Sequence, residues 1–532
     1  MPEYLAPGVY VEEIQTGPRP IEGVSTSTAG FVGEAERGPT RPTMVTSWPD
    51  YTRWYGGYLD RPPFNTPNVF LPYAVKGFFD NGGQRLFVAR VVGPGATPAA
   101  GALGPAVVSA IGEGLWGNNL LVWVTAASIV NPNAPNAPTA TWFRIRVAYY
   151  RDGIPANPVD PTDPTQLANP ARVEPTVFED FDNLSETSTL PNFAQSIINA
   201  SSQLITIANV TARPPDTPFP GVTLAGGAAV PATIAEYQDA NQPDPELRRG
   251  LAGLATIKEI SLLAAPDESV VAGLREEVIN ACEATKDRFG VTAADANVAN
   301  SSAPAFRPPR DTTYGGFYYP WVRVLAPHTD EGHRLIPPTG HVVGIYARVD
   351  VERGVHKAPA NEVVRGIVTR DLKNNKKPLE FTLGKREHDI LNPRGVDVIR
   401  DFRSDGRDIR VWGARTMSSD SMWKYINVRR LFIFIEQSID RGTQWAVFEP
   451  NSEPTWIAIR TSITNFLRTV WRNGALMGTT QDEAFFVKCD RTTMTQDDFD
   501  NGRLICLIGV APVKPAEFVI FRISQKTMEA EA

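Results

Sequence analysis

Between residues 93 and 227 the chain leaves one pattern and later returns to it. Before this stretch, residues 30–92 mix short strand-like runs ("GFVGEA", "RLFVARVV") with one helical run, "VFLPYAVKGFFDNGG". In that run Phe70, Tyr73, Ala74, Gly77 and Phe78 follow helical spacing, and Gly82 and Gly83 close the end. After it, "ELRRGLAGLATIKEISLLAAP" reads as a helix leading into a buried strand, and "VVAGLREEVINACEATKDR" sets Val270, Leu274, Val278, Ile279 and Cys282 on one side of a second helix. Inside the stretch, Pro and Asn crowd "NPNAPNAP" and "IPANPVDPTDPTQLANP", leaving the strand-like runs "LLVWVTA", "WFRIRVAYY" and "LITIANV". An α/β domain interrupted by an inserted, loop-rich β domain accounts for this order.

Residues 400–511 read as a second α/β unit, with a strand in "DIRVWGAR", helices in "MWKYINVRRLFIFIEQSID" and "PTWIAIRTSITNFLRTVWRNG", and strands in "AFFVKCD" and "RLICLIGVAP". Two further strand-like segments lie outside both domains without a hairpin partner nearby. "YLAPGVYVEEI" alternates Val9 and Val11 with Tyr10 and Glu12, and "EFVIFRISQK" alternates near the other end. Gly/Pro breakers at 16–20 and 512–515 set them off as hinges. Unpaired strands are a liability, so the pattern points to strands donated to neighbouring chains. At about 0.5–1.5 kcal/mol net per backbone hydrogen bond, one such contact is weak, and a polymer multiplies it.

At 532 residues the chain exceeds one ordinary core, and two to four domains are expected. Cys282, Cys489 and Cys506 are far apart and form no CxxC pair, which indicates buried thiols and not a zinc ribbon or a disulfide framework. No basic-then-apolar leader and no apolar run of about 18 residues is present, so the expectation is a chain assembled in the cytoplasm without membrane insertion. A net charge of -7 argues against general nucleic-acid binding, which needs basic surface to replace phosphate counterions.

"GEGLWG" matches GxGxxG at Gly112, Gly114 and Gly117, yet Asn118 and Asn119 lead straight into "LLVWV" where a dinucleotide site needs a helix N-terminus. A β-turn with a packed Trp116 is the better account. His328, His333, His341, His356 and His388 fit no metal-ligand spacing. No GxxxxGK[ST] and no GxSxG occurs, so no catalytic, cofactor-binding or metal residue is assigned. The helix over 456–472 is more informative. Trp456, Ile459, Ile463, Phe466, Leu467 and Val470 make one apolar face, while Arg460, Thr464, Arg468 and Arg472 recur every fourth residue without an acidic partner in the helix. That basic row is expected to face solvent or an acidic protein partner.

"YLAPGVYVEEI", "GFVGEAERGPTRPTMVTSWPDYTRWYGG", "YYPWVRV", "PPTGHVVGIYARVDVERGVHKAPANE" and "WKYINVRRLFIFIEQSI" through "FEPN" together resemble the sheath protein of contractile phage tails and related contractile injection systems. The resemblance is collinear and covers nearly the whole chain outside the insert. It implies a multi-domain α/β sheath fold of mixed sheets with helices, divided as a donated arm (1–20), a middle domain (21–92 with 228–370), an outward β-rich insert (93–227), an inner domain (371–511) and a second donated arm (512–532). Tyr4, Val9, Tyr10, Val11 and Ile14 would pair in one arm, and Phe518, Val519, Ile520, Phe521 and Ile523 in the other. It further implies a structural subunit without cofactor, polymerised as a helical homopolymer of stacked hexameric rings around an inner tube protein, and contracting to drive the tube through a target envelope. Its further partners would be baseplate and tail terminator or cap proteins, within a phage tail or an injection particle. The competing class is an enzyme, either a nucleotide-dependent oxidoreductase at "GEGLWG" or a metal hydrolase at the histidines.

Overall fold

The computed structural model describes residues 20–60, 66, 68–129, 142–166, 168–298, 305–368 and 377–522. They fall into two compact units, one of residues 25–430 and one of residues 431–522 together with 20–24.

The larger unit is built on a nine-stranded sheet whose order is Glu362–Val363, Ile409–Val411, Val396–Asp401, Gly315–Tyr319, Phe289–Ala293, Leu262–Ala264, Ala29–Gly33, Leu86–Arg90 and Thr43–Val45. The six strands from Val396–Asp401 to Leu86–Arg90 run parallel, and antiparallel strands close both sides. Parallel strands are covered on both faces, which is why Ala29–Gly33, Leu262–Ala264, Phe289–Ala293 and Gly315–Tyr319 are buried throughout and do not alternate. The run in "DIRVWGAR", assigned above to the inner domain, belongs here: Ile409–Val411 pairs with Val396–Asp401, which itself lies beside Gly315–Tyr319. The division between units consequently falls at residue 430, inside the helix Ile426–Thr443, and not near 371. Sheet membership is decided by a long-range parallel pairing that no local pattern announces.

Helix Leu71–Asp80 forms where the spacing predicts and buries Leu71, Tyr73, Ala74, Val75 and Phe78. It packs on Thr339–Arg353, of which twelve successive residues, Thr339 to Asp350, are buried. Small residues allow this approach: a Cβ on Gly340 would stand 2.3 Å from the Ala74 carbonyl oxygen, and one on Gly344 2.4 Å from that of Phe78. Helix Leu274–Thr285 buries Leu274, Val278, Ile279 and Cys282, whereas Val270 precedes it and is exposed.

The inserted stretch holds a four-stranded sheet (Thr217–Thr223, Leu120–Ala126, Trp142–Tyr149, Val177–Ser185) and a three-stranded one (Ala100–Leu103, Ala106–Ala110, Ile205–Ala208). Period two is visible in Leu120–Ala126: Leu120, Val122 and Val124 enter the main core with Trp116 and Ile145, while Leu121 and Trp123 join Ala148 and Tyr150 on the other face. Buried Glu36 ties the insert to the parallel sheet domain. Its carboxylate accepts from the Tyr149 hydroxyl at 2.9 Å and the Gly57 amide at 2.9 Å, and pairs with Arg151 at 2.9 Å. Next to it, Arg37 donates to the Thr52, Arg53 and Trp54 carbonyls that end helix Trp48–Tyr55, satisfying acceptors that helix geometry leaves open. "GEGLWG" leads into a single 3-10 turn, Leu115–Asn119, and then strand Leu120–Ala126, so the expected β-turn is a 3-10 turn with Trp116 buried within it.

Candidate assembly surface

The smaller unit is organised by two long helices. Ile426–Thr443 begins four residues later than Met422. Residues 20–24 lie along its second half, with Ile21 against Gly442, Gly23 against Phe434 and the Val24 amide donating to Ser438 Oγ at 3.1 Å. Glu453–Arg472 buries Ile459, Ile463, Phe466, Leu467 and Val470, the apolar face read from its spacing. Trp456 is half-buried, stacked at a tilt on Phe499 and donating from Nε1 to Asn451 Oδ1 at 2.7 Å.

On the opposite face Arg460 and Arg472 are exposed, and Thr464 and Arg468 are half-buried. Arg468 is engaged by Gln481 Oε1 at 3.0 Å and Asn465 Oδ1 at 3.1 Å. Among the described residues none of the three arginines forms an ion pair. Arg460 does influence Asp490, whose carboxyl is held below its ordinary range first by the Thr492 hydroxyl and amide, then by Lys488 and Arg460. The basic row is thus two exposed guanidinium groups, Arg460 and Arg472, flanking a neutral side chain and an anchored one.

Helix Gln481–Ala484 leads directly into an antiparallel pair, Phe485–Lys488 with Leu507–Val510. This is a sheet of only two strands among the described residues, and a pair that small is marginal alone. Its apolar residues are incompletely covered: Phe486 is 58% exposed, Leu507 50% and Ile508 36%.

Beyond this sheet the chain is tied down through Pro512, bridged to Leu476, and Val513, whose amide donates to the Ala475 carbonyl at 3.2 Å. After that anchor Phe518, Val519, Ile520 and Phe521 are 70, 69, 78 and 83% exposed and form no strand. The alternation predicts a strand; among the described residues none forms there and no strand pairs with it. Ile523, and Tyr4, Val9, Tyr10, Val11 and Ile14 of the other arm, lie outside the described residues.

No periodicity in the sequence marks the loop between the long helices. There Val447 is 58% exposed and Phe448 fully exposed, and Phe448 holds a left-handed φ of 68°, a conformation that a bulky side chain rarely adopts. "FEPN" is the only signal that could have singled it out.

The histidines do not converge. His333 lies on strand His333–Ile336 beside Arg323 and Glu331, while His341 is buried in helix Thr339–Arg353 and pushed down to about 4 by that burial. Among the described residues no cluster of three His, Cys, Asp or Glu could hold a metal, and no helix is long and apolar enough to cross a membrane.

Residues 232–417 match the model of the phage tail sheath protein central domain, and residues 418–526 that of the phage tail sheath C-terminal domain. A prophage major tail sheath protein of Pseudomonas aeruginosa is 27% identical over 192 residues, which is 36% of this chain and 46% of that relative. The aligned stretch therefore spans less than half of the relative. The fold matches the sheath complex of the PVC extracellular contractile injection system in its contracted state, at a TM-score of 0.56 and 21% identity over 99% of both chains. It also matches a chain of the anti-feeding prophage baseplate, at a TM-score of 0.54 and 24% identity over 98% of this chain and 100% of that one.

Proposed function

The chain belongs to the phage tail sheath family, and from that premise we propose that it polymerises as stacked hexameric rings around an inner tube and contracts to drive the tube through a target envelope. The observation that carries the proposal is the pairing of two deficits in the smaller unit. Among the described residues an apolar arm, Phe518 to Phe521, has no strand to join, and the sheet of Phe485–Lys488 and Leu507–Val510 has no further strand. One deficit answers the other when the arm of one subunit adds to the sheet of the next, each added strand contributing backbone hydrogen bonds and burying alternate side chains. The arm at residues 1–20 takes the equivalent place in another neighbour.

Donated strands let subunits swing as rigid bodies while the lattice stays connected, provided that a few residues absorb the dihedral change. Within the hinge at 512–515, Pro512 and Val513 are anchored, so Lys514 and Pro515 would absorb that change. The energy of contraction comes from relaxation of a metastable assembled state, so the function has no catalytic residue, no cofactor and no metal. The insert of residues 93–227 faces outward from the sheath. Baseplate and terminator or cap proteins bound the polymer, in a phage tail or an injection particle assembled in the cytoplasm.

The row Arg460, Thr464, Arg468 and Arg472 faces acidic groups of the tube, with Arg460 and Arg472 exposed to it and Arg468 held in place by its amide partners. Exposed charged pairs are worth about 0–1 kcal/mol each, weak enough to release during contraction. Coexpression with the cognate tube protein tests the proposal. Extended sheaths on tubes are expected from the native chain. Arg460→Glu with Arg472→Glu is expected to give empty or prematurely contracted sheaths with unchanged subunit circular dichroism. Extended sheath at native yield from the double variant would remove this helix from the tube-facing surface, and absence of any polymer from the native chain would remove the function.

A further inference from the structure

The two strands of the C-terminal sheet bring two cysteines together. Lys488 lies opposite Leu507, and carrying the register on by one residue sets Cys489 opposite Cys506. The Ala511 amide donates to the Ala484 carbonyl at 2.9 Å, which fixes the alternation of the ladder. Positions 484 with 511, 486 with 509 and 488 with 507 are the hydrogen-bonded pairs, so Cys489 and Cys506 fall at a non-hydrogen-bonded pair. There Cα atoms come within about 4.5 Å and facing side chains are closest. That separation lies inside the window of roughly 4.4–6.8 Å that a disulfide requires. Each thiol acts on the ionisation of the other, with Cys489 buried and Cys506 half-buried.

We infer that Cys489 and Cys506 are a redox-closable pair that forms an intrachain disulfide by exchange with a low-molecular-weight disulfide such as oxidised glutathione. The half-exposed Cys506 thiolate attacks one sulfur of the reagent and expels a thiolate. Cys489 then loses its proton and attacks the Cys506 sulfur of the mixed disulfide, expelling the second thiolate. The chain gives up two electrons and two protons, and the reagent is reduced to two thiols.

Burial slows the first step. It pushes the Cys506 thiol up to about 12 and raises that of Cys489, so little thiolate is present near neutral pH. Because thiolate is the nucleophile, the rate should climb about tenfold per pH unit below that value. The bond closes off the excursion from residue 490 to 505, which carries helix Gln496–Asp500, and fixes the register of the sheet at that end. If neighbouring strands add to this sheet as proposed above, the bond also keeps its own strands paired while the added ones are pulled. Only this last consequence rests on the strand-addition reading.

The test uses the purified full chain, incubated under native conditions with oxidised glutathione at increasing pH. It is then alkylated in denaturant, digested and analysed by mass spectrometry. The expected product is a linked peptide pair containing Cys489 and Cys506, lighter by two hydrogens. Cys282, buried in helix Leu274–Thr285, should remain the one alkylatable thiol, and dithiothreitol should restore all three. In Cys489→Ser the reaction should stop at a glutathione adduct on Cys506. Three alkylatable thiols throughout, a stable glutathione adduct on the native chain, or a link to Cys282 or to a second chain would each overturn the inference. Disulfide formation is read on the unassembled subunit, so its failure is separate from failure of the sheath function.

Discussion

Replacing Phe518 and Ile520 by serine should prevent polymerisation at concentrations where the native chain assembles. The two residues stand two apart, so in an extended strand they share one face. In the single chain they are 70 and 78% exposed, which leaves most of their burial to be gained on docking. Complete burial of such a side chain is worth about 1.5–3 kcal/mol, so the unclaimed part is about 1–2 kcal/mol each. Losing both weakens each arm contact by about 2–4 kcal/mol, or roughly 30- to 700-fold in affinity at about 1.4 kcal/mol per tenfold. Backbone hydrogen bonds of the added strand survive, so assembly should shift to higher concentration and not vanish. The subunit itself should be unaffected, because neither side chain contributes to its core. Sedimentation over a concentration series, with negative-stain microscopy of the pellets, measures the shift, and circular dichroism checks the fold. Assembly of the double variant within about twofold of the native threshold would refute the reasoning, since burial of even one such side chain exceeds that difference.

Asp350 pairs with Arg430 through two contacts of 3.0 and 2.5 Å, with both groups buried and Arg430 also donating to the Thr26 carbonyl at 3.0 Å. Asp350→Ala strands a buried guanidinium and should cost about 3–5 kcal/mol in urea unfolding, while Asp350→Leu with Arg430→Met should recover most of it; a loss below about 1 kcal/mol for the single variant would contradict this. Burial raises the Asp267 carboxyl to about 7, against the opposing hydrogen bonds from the Phe70 amide at 2.7 Å and the Tyr237 hydroxyl at 3.0 Å. The folded chain thus holds this proton to higher pH than the unfolded chain does. The stability it adds is complete below the ordinary carboxyl range and is lost as pH rises through about 7. Between about pH 5 and pH 8 the native chain should lose melting temperature relative to Asp267→Asn, and parallel curves for the two would remove Asp267 from the pH dependence.

Features with a local period were legible in the sequence. The apolar face of Glu453–Arg472 was read from spacing alone, because a helix repeats its buried positions every three or four residues. Leu120–Ala126 and Trp142–Tyr149 were likewise legible within the Pro- and Asn-rich stretch. Features decided by distant partners were not. Ile409–Val411 carries the same strand signal whichever sheet it joins, and only its pairing with Val396–Asp401 assigns it to the larger unit. Cys489 and Cys506 read as remote thiols because the register that opposes them is set by strands on either side of a long excursion. Glu36 gave no sign of binding Tyr149 and Arg151, more than a hundred residues away. In the assembly surface, the arginines were legible as charge pattern, while the engagement of Arg468 by Gln481 depends on a turn that charge pattern does not encode.

A density map of the polymer, at a resolution that traces strands, tests the central claim most directly. The account predicts that the sheet of Phe485–Lys488 and Leu507–Val510 gains strands from other subunits, with residues 518–521 of one neighbour traced into it. A sheet that keeps only its own two strands, with the arm of each subunit folded back on the subunit it came from, would contradict it.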